Sequence, residues 1–163
     1  MNNSLLILGA GAHGIVVKEV AEACGYRNIS FLDDKSSLAI GKIEDLDKFT
    51  GFSNVFVSIG VGRVRNEMIV RAQKLGFHVP SLVHPTAYVS PSANIGYGTL
   101  IEPKAIINSN AYVGNGCIVS VGAIIDHNAQ VNNYAQVNAG CIVKSSAKIE
   151  KFSKLEVGQI VYK

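Results

Sequence analysis

Residues 113–131 read VGNGCIVSVGAIIDHNAQV, and in this stretch an aliphatic residue returns at every sixth position. The same period extends in both directions, from Val83 to Val161, without an insertion. A small side chain follows four residues after each aliphatic position, and Gln159 alone breaks that rule. The aliphatic positions are Val83, Val89, Ile95, Ile101, Ile107, Val113, Val119, Ile125, Val131, Val137, Val143, Ile149, Leu155 and Val161. The small positions are Ala87, Ala93, Thr99, Ala105, Ala111, Cys117, Ala123, Ala129, Ala135, Cys141, Ala147 and Ser153.

A period of six residues does not fit an α-helical stripe, whose period is about 3.6. It indicates a solenoid of short strands, in which three hexads form one triangular coil of about 18 residues. The aliphatic side chains then fill the interior, and the small ones fit where the chain turns. We predict an all-β left-handed parallel β-helix over residues 81–163, since left-handed coiling is what hexapeptide-repeat proteins show.

Residues 1–80 have the pattern of an α/β Rossmann-like unit. Leu5–Leu8 is a continuously apolar run typical of a buried parallel strand. Gly9, Gly11 and Gly14 follow it with the spacing G-x-G-x-x-G, and Ile15–Cys24 has an apolar helical face. A glycine turn between a strand and a helix favours phosphate binding, because backbone N–H groups of the helix N-terminus face the ligand.

The second predicted strand, Asn28–Leu32, ends at Asp33 and Asp34, and Asp33 is placed to bind a ribose hydroxyl. A complete dinucleotide-binding fold has about six strands. This unit offers only two more candidates, Val55–Ile59 and Phe77–Val79, so a nucleotide-dependent oxidoreductase is disfavoured.

The third strand ends near Gly60 and precedes a predicted helix, Val64–Leu75, that carries Arg65. Loops at the carboxyl ends of parallel strands lie side by side, where ligands bind. We therefore predict that Gly60 and Arg65 help to hold a diphosphate.

The composition argues against several classes of function. The net charge of +3 comes without a Lys/Arg block, which disfavours nucleic-acid binding. No run of about 18 apolar residues is present to span a membrane, and the N-terminus lacks a signal-peptide pattern. We expect a cytoplasmic protein with small-molecule partners. Cys117 and Cys141 occupy small-residue positions of the repeat, which indicates packing rather than disulfide or metal chemistry.

His127 is the candidate catalytic residue of the repeat. It stands two positions after the inward Ile125, so its side chain is expected on the outer surface. An imidazole suits the removal of a proton from an amine or hydroxyl at neutral pH. Asp126 or Asn128 is placed to orient its other ring nitrogen.

In combination these motifs resemble a known family, the hexapeptide acyltransferases of the sialic acid O-acetyltransferase and UDP-amino-sugar N-acetyltransferase type (NeuD/PglD-like). The resemblance covers nearly the whole chain and rests on residues 7–14, 31–34, 58–60 and 83–93 together with His127. It implies direct acetyl transfer from acetyl-CoA to a UDP-linked amino sugar, without a metal, by a homotrimer whose sites lie between neighbouring β-helices.

The same resemblance assigns roles to single residues. It implies that His127 is the general base, that His13 lies near the sugar, and that Asp33 and Asp34 lie near the uridine. Gln136 matches a position where a histidine often contacts acetyl-CoA, and Ser145 matches a glycine whose N–H faces the acetyl group.

Three departures leave alternatives open. Asn128 replaces a residue that is commonly acidic, which predicts a weaker base. Gln136 and Ser145 differ from the family's residues, and family members usually continue for two or more coils beyond the position of Lys163. The alternatives are an O-acetyltransferase of sialic acid or another sugar, and a degenerate, non-catalytic trimeric protein that binds a sugar nucleotide.

Overall fold

The structure is a computed structural model that describes residues 3–163. It consists of two compact units, and the chain passes from one to the other between Pro80 and Ser81. Within the described residues, no helix has both the length and the apolar character needed to cross a bilayer.

The N-terminal unit is built on a parallel three-stranded sheet with two helices and a short 3₁₀ segment. Along the chain its elements are β1 (Ser4–Leu8), α1 (Ala12–Ala23), β2 (Asn28–Leu32), a 3₁₀ helix (Ile43–Lys48), β3 (Asn54–Val57) and α2 (Gly62–Lys74). The strand order is β2-β1-β3. Every residue of the central strand β1 is buried, which explains the uninterrupted apolar run Leu5–Leu8 and confirms the predicted α/β class.

Several element boundaries differ from the sequence prediction: β3 ends at Val57 and not at Ile59, and α2 spans Gly62–Lys74 and not Val64–Leu75. Helix α1 begins at Ala12, three residues earlier than predicted, because Gly11 already takes the N-cap position. The predicted strand Phe77–Val79 is reduced to one parallel bridge between His78 and Asn54. Backbone bonds from Val55 N–H to His78 O (2.9 Å) and from His78 N–H to Ser53 O (3.0 Å) join this segment to the edge of β3.

The C-terminal unit is a parallel β-helix with three sheets, which we call faces 1, 2 and 3. The strands of face 1 are Leu82–Val83, Leu100–Ile101, Ile118–Val119 and Gln136–Val137. The strands of face 2 are Tyr88–Val89, Ile106–Ile107, Ile124–Ile125, Ile142–Val143 and Ile160–Val161. The strands of face 3 are Asn94–Ile95, Tyr112–Val113, Gln130–Val131 and Lys148–Ile149. The turns after faces 1, 2 and 3 are called corners 1, 2 and 3.

Strand pairing fixes the coil at eighteen residues: Ile118 pairs with Leu100 on one side and with Gln136 on the other. The interior holds one cluster in which the predicted aliphatic and small positions alternate, almost all fully buried from Ile101 to Ile149. Cys117 and Cys141 belong to that cluster, as predicted. The predicted parallel β-helix is therefore confirmed, and a larger side chain at a small position would overpack its core.

The corners are formed by residues with positive φ, again spaced by six. Five are glycines, and six are not: Lys104, Asn110, Asn128, Tyr134, Ser146 and Phe152, with φ between 56° and 66°. Ten of the eleven directly precede a small residue of the repeat, and Gly158 precedes Gln159. Glycine and asparagine adopt this left-handed conformation most readily, so the corner position has a residue preference that is independent of any chemistry.

Candidate active site

The glycine turn between β1 and α1 is shaped by two of its three glycines. Gly9 has φ of 105°, and a Cβ there would lie 2.7 Å from the Ser58 Oγ. A Cβ on Gly14 would collide with the carbonyl oxygen of Gly9. At Gly11, by contrast, a Cβ would meet nothing within 4 Å, and the backbone φ of −76° suits any residue. The fold therefore does not require glycine at this position. A ligand that approaches the backbone closely would require it, because a side chain would occupy the space of the ligand.

The same turn leads directly into the first turn of α1. The N-cap Gly11 has no side chain with which to cap the helix, so the initial N–H groups have no side-chain acceptor there. These groups and the positive end of the helix dipole favour an anion such as a phosphate.

Side chains from the two neighbouring strands fix the glycine turn. From the end of β3, the Ser58 hydroxyl lies 2.9 Å from Leu8 O and 2.7 Å from Gly9 O. From the end of β2, the Asp33 Oδ2 accepts the Ala10 N–H at 2.8 Å. The sequence analysis included Ser58 among residues 58–60 but assigned it no role; its signal was a polar residue at the end of an apolar strand.

Asp33 and Asp34 also order the segment that follows β2. The Asp33 Oδ1 accepts the N–H groups of Lys35 (2.8 Å) and Ser36 (2.9 Å), and Asp34 Oδ1 accepts that of Ile43 (3.1 Å). The backbone hydrogen bonds, first that from Ala10, lower the pKa of Asp33, so this carboxylate is ionised at neutral pH. The structure thus gives both carboxylates a backbone role, and their contact with a nucleoside stays a prediction.

Arg65 stabilises the loop after β3. Its side chain is buried, with 1% exposed, and Nη1 donates to the carbonyls of Ile59 (2.6 Å) and Gly60 (2.9 Å). The guanidinium therefore holds the shape of the loop at the carboxyl edge of the sheet. Direct contact of Gly60 or Arg65 with a diphosphate stays a prediction.

His13, in the first turn of α1, is held in its neutral form. Burial, and then the positive charge of Arg65, lower the pKa of His13. Its Nε2 atom is buried and has no hydrogen-bond partner among the described residues. A buried polar atom without a partner is costly, so a hydrogen bond from a bound ligand would be favourable here.

His127 and Asn128 lie together at corner 2, and both side chains are exposed. The Asn128 Nδ2 lies 3.0 Å from the His127 Nδ1. An amide nitrogen only donates, so in this orientation Nδ1 accepts and the ring proton is on Nε2. Turning the amide over would present Oδ1 to an Nδ1–H and leave Nε2 free to take a proton. Of the two predicted orienting residues, Asn128 is the one that reaches the ring nitrogen.

Asp126 occupies the same corner and contacts the backbone instead. Its Oδ1 accepts the His127 N–H at 2.7 Å and the Asn108 side-chain amide at 3.2 Å. Ser145 lies one coil beyond His127, and the Ser146 N–H donates to His127 O at 3.2 Å, which joins the two coils. His127, Asn128 and Ser145 are therefore neighbours, as a common site requires.

Two comparisons with known proteins bear on this site. The sequence model of the PglD N-terminal domain matches residues 4–72. The acetyltransferase domain of PglB from Neisseria gonorrhoeae, solved in complex with acetyl coenzyme A, is 32% identical with a TM-score of 0.94. The match covers 98% of this chain and 82% of that one. This chain belongs to the NeuD/PglD-like family of hexapeptide acyltransferases.

Two other solved proteins have the same fold. A histidine-to-asparagine variant of perosamine N-acetyltransferase from Caulobacter crescentus, in complex with CoA and GDP-perosamine, is 26% identical with a TM-score of 0.91. That match covers 96% of this chain and 79% of the other. WeeI from Acinetobacter baumannii is 17% identical with a TM-score of 0.72, over 96% and 87% of the two chains, and shows the shared fold alone.

Gln136, the other residue that family resemblance assigned to acetyl-CoA, lies away from His127 within the chain. Nine residues separate them, which is half of the eighteen-residue coil. Gln136 is on face 1, and corner 2 lies on the opposite side of the triangular coil. The Gln136 Nε2 donates to Asn138 Oδ1 at 2.7 Å, while its Oε1 is buried without a partner among the described residues.

The described residues include no group of three or more His, Cys, Asp or Glu side chains that is arranged to hold a metal ion. The chemistry available at corner 2 is that of an imidazole, a carboxylate, an amide and backbone N–H groups.

Proposed function

We propose that this protein is an acetyl-CoA-dependent acetyltransferase that acts on a nucleotide-linked amino sugar. The observation that carries the proposal is the match over 98% of the chain to an acetyltransferase domain in complex with acetyl coenzyme A. The exposed imidazole of His127 supplies a base on the equivalent fold.

In the proposed reaction, the amine nitrogen of the sugar attacks the thioester carbonyl carbon of acetyl-CoA. His127 Nε2 removes the amine proton, the carbon–sulfur bond breaks, and the proton passes to the thiolate of CoA. Backbone N–H groups near Ser145 stabilise the oxyanion of the tetrahedral intermediate. The products are the N-acetyl sugar and CoA, and direct transfer needs no metal and no acyl-enzyme.

The nucleotide part of the acceptor is proposed to bind in the N-terminal unit. The glycine turn at Gly11 and the uncapped start of α1 receive the diphosphate. The Nε2 of neutral His13, which has no hydrogen-bond partner among the described residues, contacts the sugar. Family resemblance favours UDP as the nucleotide. GDP is the second candidate, because the Caulobacter crescentus relative is in complex with GDP-perosamine.

We further propose that the active unit is a homotrimer with sites shared between chains. His127 and Gln136 are half a coil apart, so they contribute to one site only if they come from different copies. Face 2 supports such an assembly, since its outward positions form an apolar row with one residue per coil: Tyr88, Ile106, Ile124, Ile142 and Ile160. Of these, Tyr88 is 54% exposed and Ile160 45%, which supports the proposal that the row is an association surface.

Thiol release from acetyl-CoA tests the enzyme proposal. The protein is incubated with UDP- and GDP-linked 4-amino sugars, and the product is identified by mass. We expect turnover with one nucleotide series, and a decrease of about 10²–10⁴-fold for His127→Ala. His84→Ala, which removes another histidine of the β-helix, is the control and should retain activity.

No turnover of the unaltered protein at saturating donor would contradict the enzyme proposal and favour the non-catalytic sugar-nucleotide-binding alternative. Turnover only with hydroxyl acceptors would indicate an O-acetyltransferase. A cytoplasmic location stays a prediction.

A further inference from the structure

A cavity lies at the amino-terminal edge of the N-terminal sheet, opposite the edge that carries the glycine turn. Its volume is about 400 Å³, which is within the range of sites that bind small molecules. The segment that leads into β3 forms one side, and the segment that follows α2 forms the other. Its lining includes Thr50, Phe52, Leu75, Phe77 and His78. None of these residues belongs to the candidate active site.

The walls of the cavity carry apolar side chains that remain partly accessible to water. Phe52 and Phe77 are half-buried, and Leu75 is 43% exposed. Neither phenylalanine ring stacks on another aromatic ring in the part of the chain that the structure describes. A planar apolar ring packed against these residues would remove their exposed surface from water, which is favourable.

His78 gives the cavity a polar group of fixed orientation. Its Nδ1 lies 3.0 Å from Asn54 Oδ1, and the Asn54 Nδ2 donates to the backbone carbonyl of Ser4 at 3.0 Å. Turning the Asn54 amide over would bring its oxygen against the Ser4 oxygen, so the bond to Ser4 fixes the amide. Because an amide oxygen only accepts, Nδ1 carries the ring proton, and Nε2 of the neutral ring is an acceptor.

The backbone of His78 is fixed as well, since its N–H and its carbonyl bond to Ser53 and Val55 at the edge of β3. No hydrogen bond from another described residue reaches Nε2. A ligand would therefore meet an acceptor that is already in place, and little free energy would be spent on ordering the site.

We propose that this cavity binds a small aromatic molecule that carries an N–H or O–H donor. The ring of the ligand packs against Phe52, Leu75 and Phe77, and its donor bonds to Nε2 of His78. This ligand is distinct from the sugar nucleotide proposed above, because the cavity and the glycine turn lie at opposite edges of the same sheet.

Indole and 1-methylindole test the proposal, because they share a ring system and only indole has an N–H to donate. Each is titrated into the ¹⁵N-labelled full-length protein, and the backbone amide signals are followed by NMR. We expect indole to shift the amides of residues 50–53 and 75–78, with a Kd of about 1–10 mM. 1-Methylindole should bind about threefold to tenfold more weakly, because it cannot form the hydrogen bond to Nε2.

Three variants locate the binding. His78→Leu removes the acceptor, so indole should lose its advantage over 1-methylindole. Thr50→Trp places a large side chain in the cavity and should abolish the binding of both probes. His84→Leu is the matched control, because it makes the same substitution in the β-helix, and both Kd values should stay unchanged. In the unaltered protein, ¹H–¹⁵N correlations of the neutral His78 ring should show the proton on Nδ1.

Equal affinities of the two probes for the unaltered protein would overturn the proposal, as would amide shifts confined to other residues or a neutral His78 ring with its proton on Nε2. Shifts of the cavity amides with protein concentration, in the absence of a probe, would assign the cavity to contact with a second copy and would also overturn it. If His78→Leu does not fold, Thr50→Trp and the comparison of probes still decide the question. All of these outcomes are independent of whether the protein transfers acetyl groups.

Discussion

The Asn128 amide nitrogen lies 3.0 Å from Nδ1 of His127, so the ring nitrogen of the candidate base is paired with a neutral group that rotates between donor and acceptor. Only the acceptor orientation leaves Nε2 free to take a proton from the sugar amine. In the resting structure Asn128 therefore donates to Nδ1, whereas the proposed reaction needs it to accept from Nδ1–H. A 180° flip of the side-chain amide converts one arrangement into the other.

Replacing Asn128 by Asp removes that ambiguity. A carboxylate only accepts, so it fixes the Nδ1–H tautomer and adds charge next to the ring. We expect Asn128→Asp to raise kcat by about threefold to tenfold, measured by thiol release. Asn110→Asp makes the same substitution at the equivalent corner position of the preceding coil and should not change the rate. A slower Asn128→Asp enzyme would contradict the assigned role.

The glycine turn predicts different results for two alanine substitutions. Gly14→Ala introduces a clash with the Gly9 carbonyl, and we expect a loss of roughly 1–3 kcal/mol in the free energy of unfolding. Gly11→Ala meets open space and should leave stability unchanged, while weakening the binding of UDP or GDP in calorimetry. Equal loss of stability in both variants would show that Gly11 has a structural role instead of a ligand-binding one.

The apolar row of face 2 is the surface that we expect to hold the proposed trimer together. Ile106→Glu places a charge in that row, and light scattering should then detect monomers in place of trimers. Tyr112→Glu is a matched control on face 3, because Tyr112 is 41% exposed and Ile106 is 37%. If both variants remain trimeric, another surface mediates assembly.

Glu102 predicts a pH-dependent change in stability. Burial raises the pKa of this carboxyl, although the Val121 N–H and Ser120 partly oppose that effect. Because the folded-state pKa of Glu102 is raised, the folded protein favours the protonated carboxyl. The stability that this preference contributes is fully present below the pKa of the unfolded state, about 4.3, and is lost as the pH rises through the pKa of the folded state.

In the unaltered protein the Val121 N–H donates to Glu102 Oε2 at 3.0 Å, and Glu102→Gln keeps an acceptor for it. We expect its Tm at pH 8 to exceed that of the unaltered protein by about 2–4 °C, and the difference to disappear at pH 4. Glu156→Gln, an exposed carboxyl in the same column of corner 1, should show no such pH dependence. A lower Tm for Glu102→Gln at pH 8 would contradict the assigned cost of ionisation.

The fold could be predicted from the sequence because its main determinant is local and repeated. An inward side chain at every sixth position fixes the coil, and Ile118 pairs eighteen residues away on both sides as that period requires. The corner residues were also visible in the sequence, since Gly98, Gly116, Gly122 and Gly140 have the same spacing. The sequence pattern assigned the turns to the small residues, whereas the residue before each of them has the positive φ that forms the turn.

The candidate site was harder to predict from the sequence, because side-chain partners depend on tertiary structure. No spacing rule indicates that Asp33 would accept three backbone N–H groups, or that Arg65 would be buried against the loop after β3. For the same reason, the sequence offered Asp126 and Asn128 as equal partners of His127. Their contacts in the structure distinguish them: Asp126 accepts the backbone N–H of His127, and Asn128 reaches the ring.

The eighteen-residue coil restricts the lengths by which the β-helix can grow or shrink without disturbing its core. Inserting one residue between corner 2 and Gln136 would rotate every later side chain from inside to outside and move Gln136 off face 1. Inserting a whole coil would lengthen the molecule and leave each side chain on its original face. Natural variation and deliberate engineering of the β-helix should therefore proceed in steps of eighteen residues, with His127 and Gln136 kept half a coil apart.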